Sequence, residues 1–481
     1  MYKSMVKNNR FRLASLLGAV AIIFLVLWGC GGGTSGYDAV STEPVLTQTA
    51  TPSIVPATLK SWMDSGLVLG VSAPYVSGEK VVILDYTDKI SYQAGHIPGA
   101  VWVDGSELLL TRLEGVSDMA SLVTDGAHMD GIIQRAGIDE NTSIVCTASS
   151  LSSATRLYAT LRYWGFPKSR IKLLEGVTSG WKTANPTLVS KEDPTITPST
   201  YCVTPGSVNR VQADLRASLG EMMDVVKNFD GTKHAIIDDL TNQTATTVYD
   251  PLTVKSTDSL KKNMYLGYPG STSGLLPYAV STTTEYVVFE GHMKNAVNLY
   301  AGKLYVSNVF KSEADLKTLF NGVGMDETKT AYVYCRAGNF ATLAFYALDA
   351  ILGWNVVWYD GSWGQWALMA DKKGGKLKAG SIWCTYPLSV SDAAVINNDD
   401  GNPKYVRDAV DGVTYNIDNV TAPGGATPFT VQPLPYYSAL DTFTTVTDPY
   451  ANQVEKADKA YISPLSPSSG GTSGGSDGGG C

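Results

Sequence analysis

One cysteine in this chain stands where chemistry is easier to place than packing. The run Thr330-Ala331-Tyr332-Val333-Tyr334 reads as a short buried strand, and apolar residues recur at helical spacing from Ala341 up to Gly353. Cys335 lies between them, at a strand end that faces a short loop. A thiol attacks only as its thiolate, and an ordinary thiol holds little thiolate at neutral pH. The loop supplies a correction. The amides of Arg336, Ala337, Gly338, Asn339, Phe340 and Ala341 can curl around the sulfur, and Gly338 lets the backbone turn where a side chain would clash. The following helix start adds a partial positive charge and Arg336 adds a full one. The pattern suits a nucleophilic sulfur that receives an anion. An inert buried cysteine is the competing reading.

Three other thiols stand out. Cys146 follows the apolar run Ser143-Ile144-Val145, but its loop, Thr147 to Ser153, has neither glycine nor arginine. It reads as a structural cysteine, with a second sulfur site or partner thiol as the alternative. Cys481 ends a Gly/Ser tail that starts near residue 464, which gives it reach; an intermolecular disulfide or a sorting signal competes with a resolving role. Cys30 follows Lys3, Lys7, Arg10, Arg12 and the apolar run Leu13 to Trp28. That charged-then-apolar layout is an export signal, and Leu27-Trp28-Gly29-Cys30 resembles a bacterial lipobox. The resemblance implies cleavage before Cys30, lipidation of its sulfur, and an outer-membrane lipoprotein facing the periplasm or the cell surface. A retained membrane anchor is the alternative.

The elements around Cys335 occur twice. In the first copy, Val81-Val82-Ile83-Leu84-Asp85 precedes "YQAGHIPGA", a strand with Cys146 at the end equivalent to that of Cys335, a helix from Ala154 to Tyr163, and Gly176 with Trp181. In the second, His234-Ala235-Ile236-Ile237-Asp238 precedes "EGHMKNA", Cys335 and its helix, and Gly361 with Trp366. Strand–helix alternation of this kind calls for a parallel sheet covered by helices. With "AGHIPGA" and the Cys-Arg-x-Gly loop, the chain resembles a tandem rhodanese, a family of sulfurtransferases with two similar α/β domains. The resemblance implies an α/β fold with two rhodanese-like domains, at 61–190 and 205–372, the first of them inactive. It makes Cys335 the sulfur-accepting nucleophile, residues 336–341 the substrate-binding loop, and a persulfide the intermediate. The implied partners are a small anionic donor, such as thiosulfate or mercaptopyruvate, and a thiol acceptor. Phe340 departs from the small hydroxyl or basic residue common at this position, so a more apolar, larger or different chalcogen donor is an open alternative. A loop longer by one residue in the first copy is also a feature of rhodanese-like phosphatases, but the late arginine that they use is missing.

The remaining segments are a leader, 1–29, a flexible tether, 30–60, an insertion in the second copy at about 241–284, an irregular β-leaning extension at 373–463, and the tail at 464–481. Eleven positions separate Asp85 from His96, while 54 separate Asp238 from His292, which locates the insertion. The chain has 481 residues with a net charge of −8 and no basic block, which argues against a nucleic-acid partner. Six scattered cysteines make no disulfide framework or metal set, and His96, His128, His234 and His292 do not pair at ligand spacing. No phosphate loop or dinucleotide fingerprint is present, and no cofactor is expected. Asp85 and Asp238 are expected to bond local loop amides, and His96 and His292 to be structural. Three function classes follow: a membrane-anchored sulfurtransferase, a selenium- or tellurium-oxyanion handler using the same cysteine, and a surface binding protein that keeps only the shell.

Overall fold

In the computed structural model the described residues are 51–71, 79–115, 117–204, 211–239, 293, 295–368, 405–407, 414–416 and 450–463. Cys30, Cys481, His292 and the insertion at 241–284 lie outside them. The first sheet has five strands: β1 (Ser53–Ile54), β2 (Lys80–Tyr86), β3 (Ala100–Trp102), β6 (Thr142–Ala148) and β7 (Ile171–Leu174). Their order is β1-β7-β6-β2-β3, and every neighbour pair is parallel. A hairpin of β4 (Leu109–Glu114) and β5 (Ser117–Val123) stands beside it. The second sheet has four parallel strands, β8 (His234–Asp238), β9 (Ala296–Asn298), β12 (Thr330–Tyr334) and β13 (Val356–Trp358), in the order β13-β12-β8-β9. Two short antiparallel pairs complete the strands: β10 (Tyr305–Val306) with β11 (Val309–Phe310), and β14 (Tyr405–Arg407) with β15 (Thr414–Asn416).

The central strands are apolar on both faces because helices cover both. All seven residues of β6 are buried. The Leu151–Tyr163 helix is capped by Ser150, whose hydroxyl accepts from the Ser153 amide, and it ends ahead of Gly165, whose φ of +91° a side chain would resist. The Ala341–Tyr346 helix continues as a π-helical turn, Ala347–Leu352, and stops at Gly353 with φ +66°.

These two helices pack on each other and join the halves. Thr155 and Thr342 hydroxyls lie 2.8 Å apart, and the rings of Tyr158 and Tyr346 meet edge to face at 4.8 Å. Asp349, in the π-helical turn, accepts from Tyr158 at 2.6 Å and from Arg162 at 2.9 Å. One apolar core runs through both sheets, from Val82 and Leu84 to Ile236, Val333 and Trp366.

The C-terminal extension holds an element that the sequence pattern did not mark. Beyond the β14–β15 pair, Gln453–Ile462 is a helix capped by Asn452. It returns to the first half, where Asp458 pairs with Arg112 at 2.6 Å and Tyr461 donates to Asp130 at 2.7 Å.

Candidate active site

Cys335 follows β12 directly and is 2% exposed. Its amide donates to the Ser362 hydroxyl at 3.2 Å, and its carbonyl accepts from the Trp363 amide at 3.0 Å. The Arg336 carbonyl accepts from the Gly364 amide at 2.9 Å. The loop is thus tied to the segment after β13, not only to its own helix. Gly338 is the position with no freedom: its φ is +76°, and a Cβ there would stand 2.4 Å from the Asp360 carbonyl oxygen. The Trp358 indole donates to the Gly338 carbonyl at 2.9 Å and pins the turn from below. Arg336, Ala337 and Asn339 are half-buried, Ala341 is buried, and Phe340 stands 49% exposed at the end of the loop.

The first half contributes a cation to this site. Arg156, on the Leu151–Tyr163 helix, is fully buried with its guanidinium 4.3 Å from the centre of the Trp358 ring. One of its nitrogens donates to the Ser121 carbonyl at 2.9 Å, while Nε and Nη1 have no hydrogen-bond partner. Burial pushes its pKa down to about 10, against the opposing charges of Asp360, Tyr86 and Cys335. Arg216 lies nearby, 2.9 Å from Asp360. Burial opposes its charge, but Asp360 and Glu114 beside it hold its pKa well above the ordinary value.

The strand register corrects one equivalence. Cys146 is not the first-half counterpart of Cys335. Asp85 pairs with Thr147, and Asp238 pairs with Tyr334, so the residue matching Cys335 is Ala148, which pairs with Tyr86. Cys146 lies two residues inside β6, opposite Leu84, fully buried. Burial alone drives its thiol pKa far up, as for a small apolar side chain.

Asp85 also differs from expectation. Its carboxylate accepts from the hydroxyls of Thr87 at 2.5 Å and Thr178 at 3.3 Å, rather than from loop amides. His96 is stacked on Tyr92 at 3.7 Å, with Nδ1 2.9 Å from the Tyr92 carbonyl oxygen and Nε2 3.2 Å from that of Glu192. A cavity of about 690 Å³, lined by Lys80, Pro98, Gly99 and residues 192–197, contains none of the candidate site residues. Among the described residues no group of three or more His, Cys, Asp or Glu side chains is placed to hold a metal ion.

Two buried charged groups that interact electrostatically with Cys335, Arg156 and Asp239, escaped the sequence reading. Nothing in the spacing of Arg156 signals that it crosses to the other half. Asp239 had a visible sign, the doubled acid Asp238-Asp239 where the first copy has Asp85-Tyr86.

With the fold and this loop in place, the likeness to known proteins is specific. The sequence pattern of the rhodanese-like domain family matches twice, at residues 73–184 and 280–369. The chain therefore contains two rhodanese-like domains in tandem, the second carrying Cys335. The thiosulfate sulfurtransferase of Corynebacterium glutamicum is 26% identical over 298 residues, covering 60% of this chain and 82% of that protein. The sulfur carrier protein TtuD of Thermus thermophilus is 23% identical over 298 residues, covering 61% and 90%. The 3-mercaptopyruvate sulfotransferase SseA of Escherichia coli, a solved structure, aligns over 65% of this chain and 99% of its own at 18% identity, with a TM-score of 0.45.

Proposed function

We propose that the protein is a sulfurtransferase that carries sulfane sulfur as a persulfide on Cys335. The observation that carries this reading is the placement of a single thiol at the end of β12, inside a loop whose turn depends on Gly338. The curated relatives, named for thiosulfate sulfur transfer and sulfur carriage, support it. The thiolate attacks the sulfane sulfur of the donor, a new S–S bond forms, and the leaving group departs with the electron pair of the broken bond. From thiosulfate the leaving group is sulfite. An acceptor thiolate then attacks the outer sulfur and Cys335 leaves as a thiolate. Arg156 and Arg336 favour the anionic states of this cycle. The exposed ring of Phe340 offers the donor an apolar contact, which suits an organic donor better than a bare sulfonate. In the parent protein, mass spectrometry after donor treatment should show a one-sulfur gain on the Cys335 peptide, absent in Cys335→Ser. A gain elsewhere, with Cys335 unmodified, would sink the assignment.

The basic-then-apolar leader ending at Cys30 supports an extracytoplasmic, lipid-anchored protein. Cys30→Ala should release it from membranes. A variant that still sediments with membranes and keeps its N-terminus has a retained anchor instead.

A further inference from the structure

Asp239 stands beside Cys335 in a way that no structural need explains. β8 and β12 are parallel and paired up to Asp238 and Tyr334, and the Asp239 amide donates to the Tyr334 carbonyl at 2.9 Å. The next pair in that register is Asp239 with Cys335. In the first half the same step is occupied by Tyr86 and Ala148, which are paired. Adjacent strands lie about 4.8 Å apart, and residues at one level share a face of the sheet. Carried one step past the strand ends, that register puts the carboxyl and the thiol side by side, close enough for the Cys335 charge to act on Asp239. The Asp239 side chain is 1% exposed and neither of its oxygens has a hydrogen-bond partner. A buried carboxylate without donors is costly, and a carboxylate beside a thiolate is costlier still. Burial, then the charges of Cys335 and Asp238, push its pKa well above the usual carboxylate range.

We propose that Asp239 and Cys335 share a single proton, and that Asp239 is the base that takes it from the thiol before sulfur transfer. The S–H bond breaks, an O–H bond forms on Asp239, and one negative charge moves to sulfur. The thiolate then attacks the sulfane sulfur of the donor. The neutral carboxyl left behind donates a hydrogen bond to the persulfide anion. When an acceptor takes the sulfur, the departing Cys335 thiolate recovers the proton from Asp239. The charges around the pair fit one anion and not two. Asp238, the preceding residue, adds a like charge, Arg336 follows Cys335 in the chain, and the Arg156 cation acts on Cys335 from the other half. The nearby Asp360 is already matched by Arg216.

The idea rests on the sulfur-transfer reading only for its use in turnover, because its test needs no sulfur donor. The measurement is the rate of Cys335 alkylation by iodoacetamide, an uncharged reagent, across pH. Two coupled sites titrate in two steps, so the rate in the parent protein should climb to a plateau and then climb again. Asp239→Asn removes one proton site and should leave a single step, displaced by about one pH unit or more from either parent step. Asp239→Ser, which is smaller, serves if the Asn variant does not fold. A single step in the parent overturns the proposal without any variant. Two steps that persist in both variants assign the second proton elsewhere and overturn it as well. If the two-step profile collapses as expected while no donor loads Cys335, the proton-sharing pair stands and the sulfurtransferase reading falls.

Discussion

At the residue scale, the site is decided by contacts that single positions cannot relinquish. Gly338 combines a left-handed backbone with a carbonyl oxygen where its Cβ would go. Backbone of this kind costs a non-glycine residue about 1–3 kcal/mol, and the obstructing atom is main chain, which cannot rotate away. Gly338→Ala should therefore shift the loop off Trp358. Cys335 should alkylate with an altered pH profile, persulfide yield should fall at least tenfold, and stability should drop by about 1–3 kcal/mol. A variant with parent kinetics and parent stability would show that the loop can turn without glycine. Cys146 illustrates the opposite case. Its sequence neighbourhood resembles a strand end, but it sits two residues inside the strand, where burial keeps the thiol protonated.

Elements place these residues, and the decisive pair is the two helices that follow the cysteine loops. Their contact includes the Thr155–Thr342 bond, a bond from the Thr342 hydroxyl to the Ser152 carbonyl at 3.4 Å, and the group around Asp349, whose side chain is 7% exposed. Burial works to raise the Asp349 pKa, but Arg162 and Lys168 hold it below the ordinary carboxylate value. Breaking a buried pair by removing one partner costs about 3–5 kcal/mol, so Asp349→Ala should lower stability by that amount in denaturant titration. The sign with pH follows from the lowered pKa. The contribution is complete above the unfolded carboxylate value of about 3.9 and is lost as pH falls through the lower folded value. The stability difference between parent and Asp349→Asn should be constant at neutral pH and shrink below about pH 4. A difference that grows with acidity would contradict this.

For the whole molecule, the two rhodanese-like domains are not independent bodies. Their core is continuous, and Arg216 bridges Glu114 of the β4–β5 hairpin at 3.4 Å and Asp360 after β13 at 2.9 Å. Heat or denaturant should unfold both sheets in one transition. Tryptophan fluorescence and far-ultraviolet dichroism should coincide, and the calorimetric and van't Hoff enthalpies should agree. Two separated transitions would mean that the shared core is not cooperative. Much of this architecture was legible in the chain alone. Short apolar runs, apolar residues at helical spacing, the repeated Asp-to-Gly-His order and the Cys-Arg-x-Gly loop are local patterns, and local patterns specify strands, helices and the candidate nucleophile's loop. What no local pattern carries is register and return. The match of Cys335 to Ala148 depends on which backbone amides pair across β8 and β12. The burial of Arg156 beneath the second domain's loop depends on two helices crossing. The docking of Gln453–Ile462 on Arg112, Tyr163 and Asp130 depends on a segment 295 to 346 positions away closing back on the first domain. Sequence sets what each stretch can become; packing decides which stretches meet, because burial energy is gained only between surfaces that the folded chain brings together.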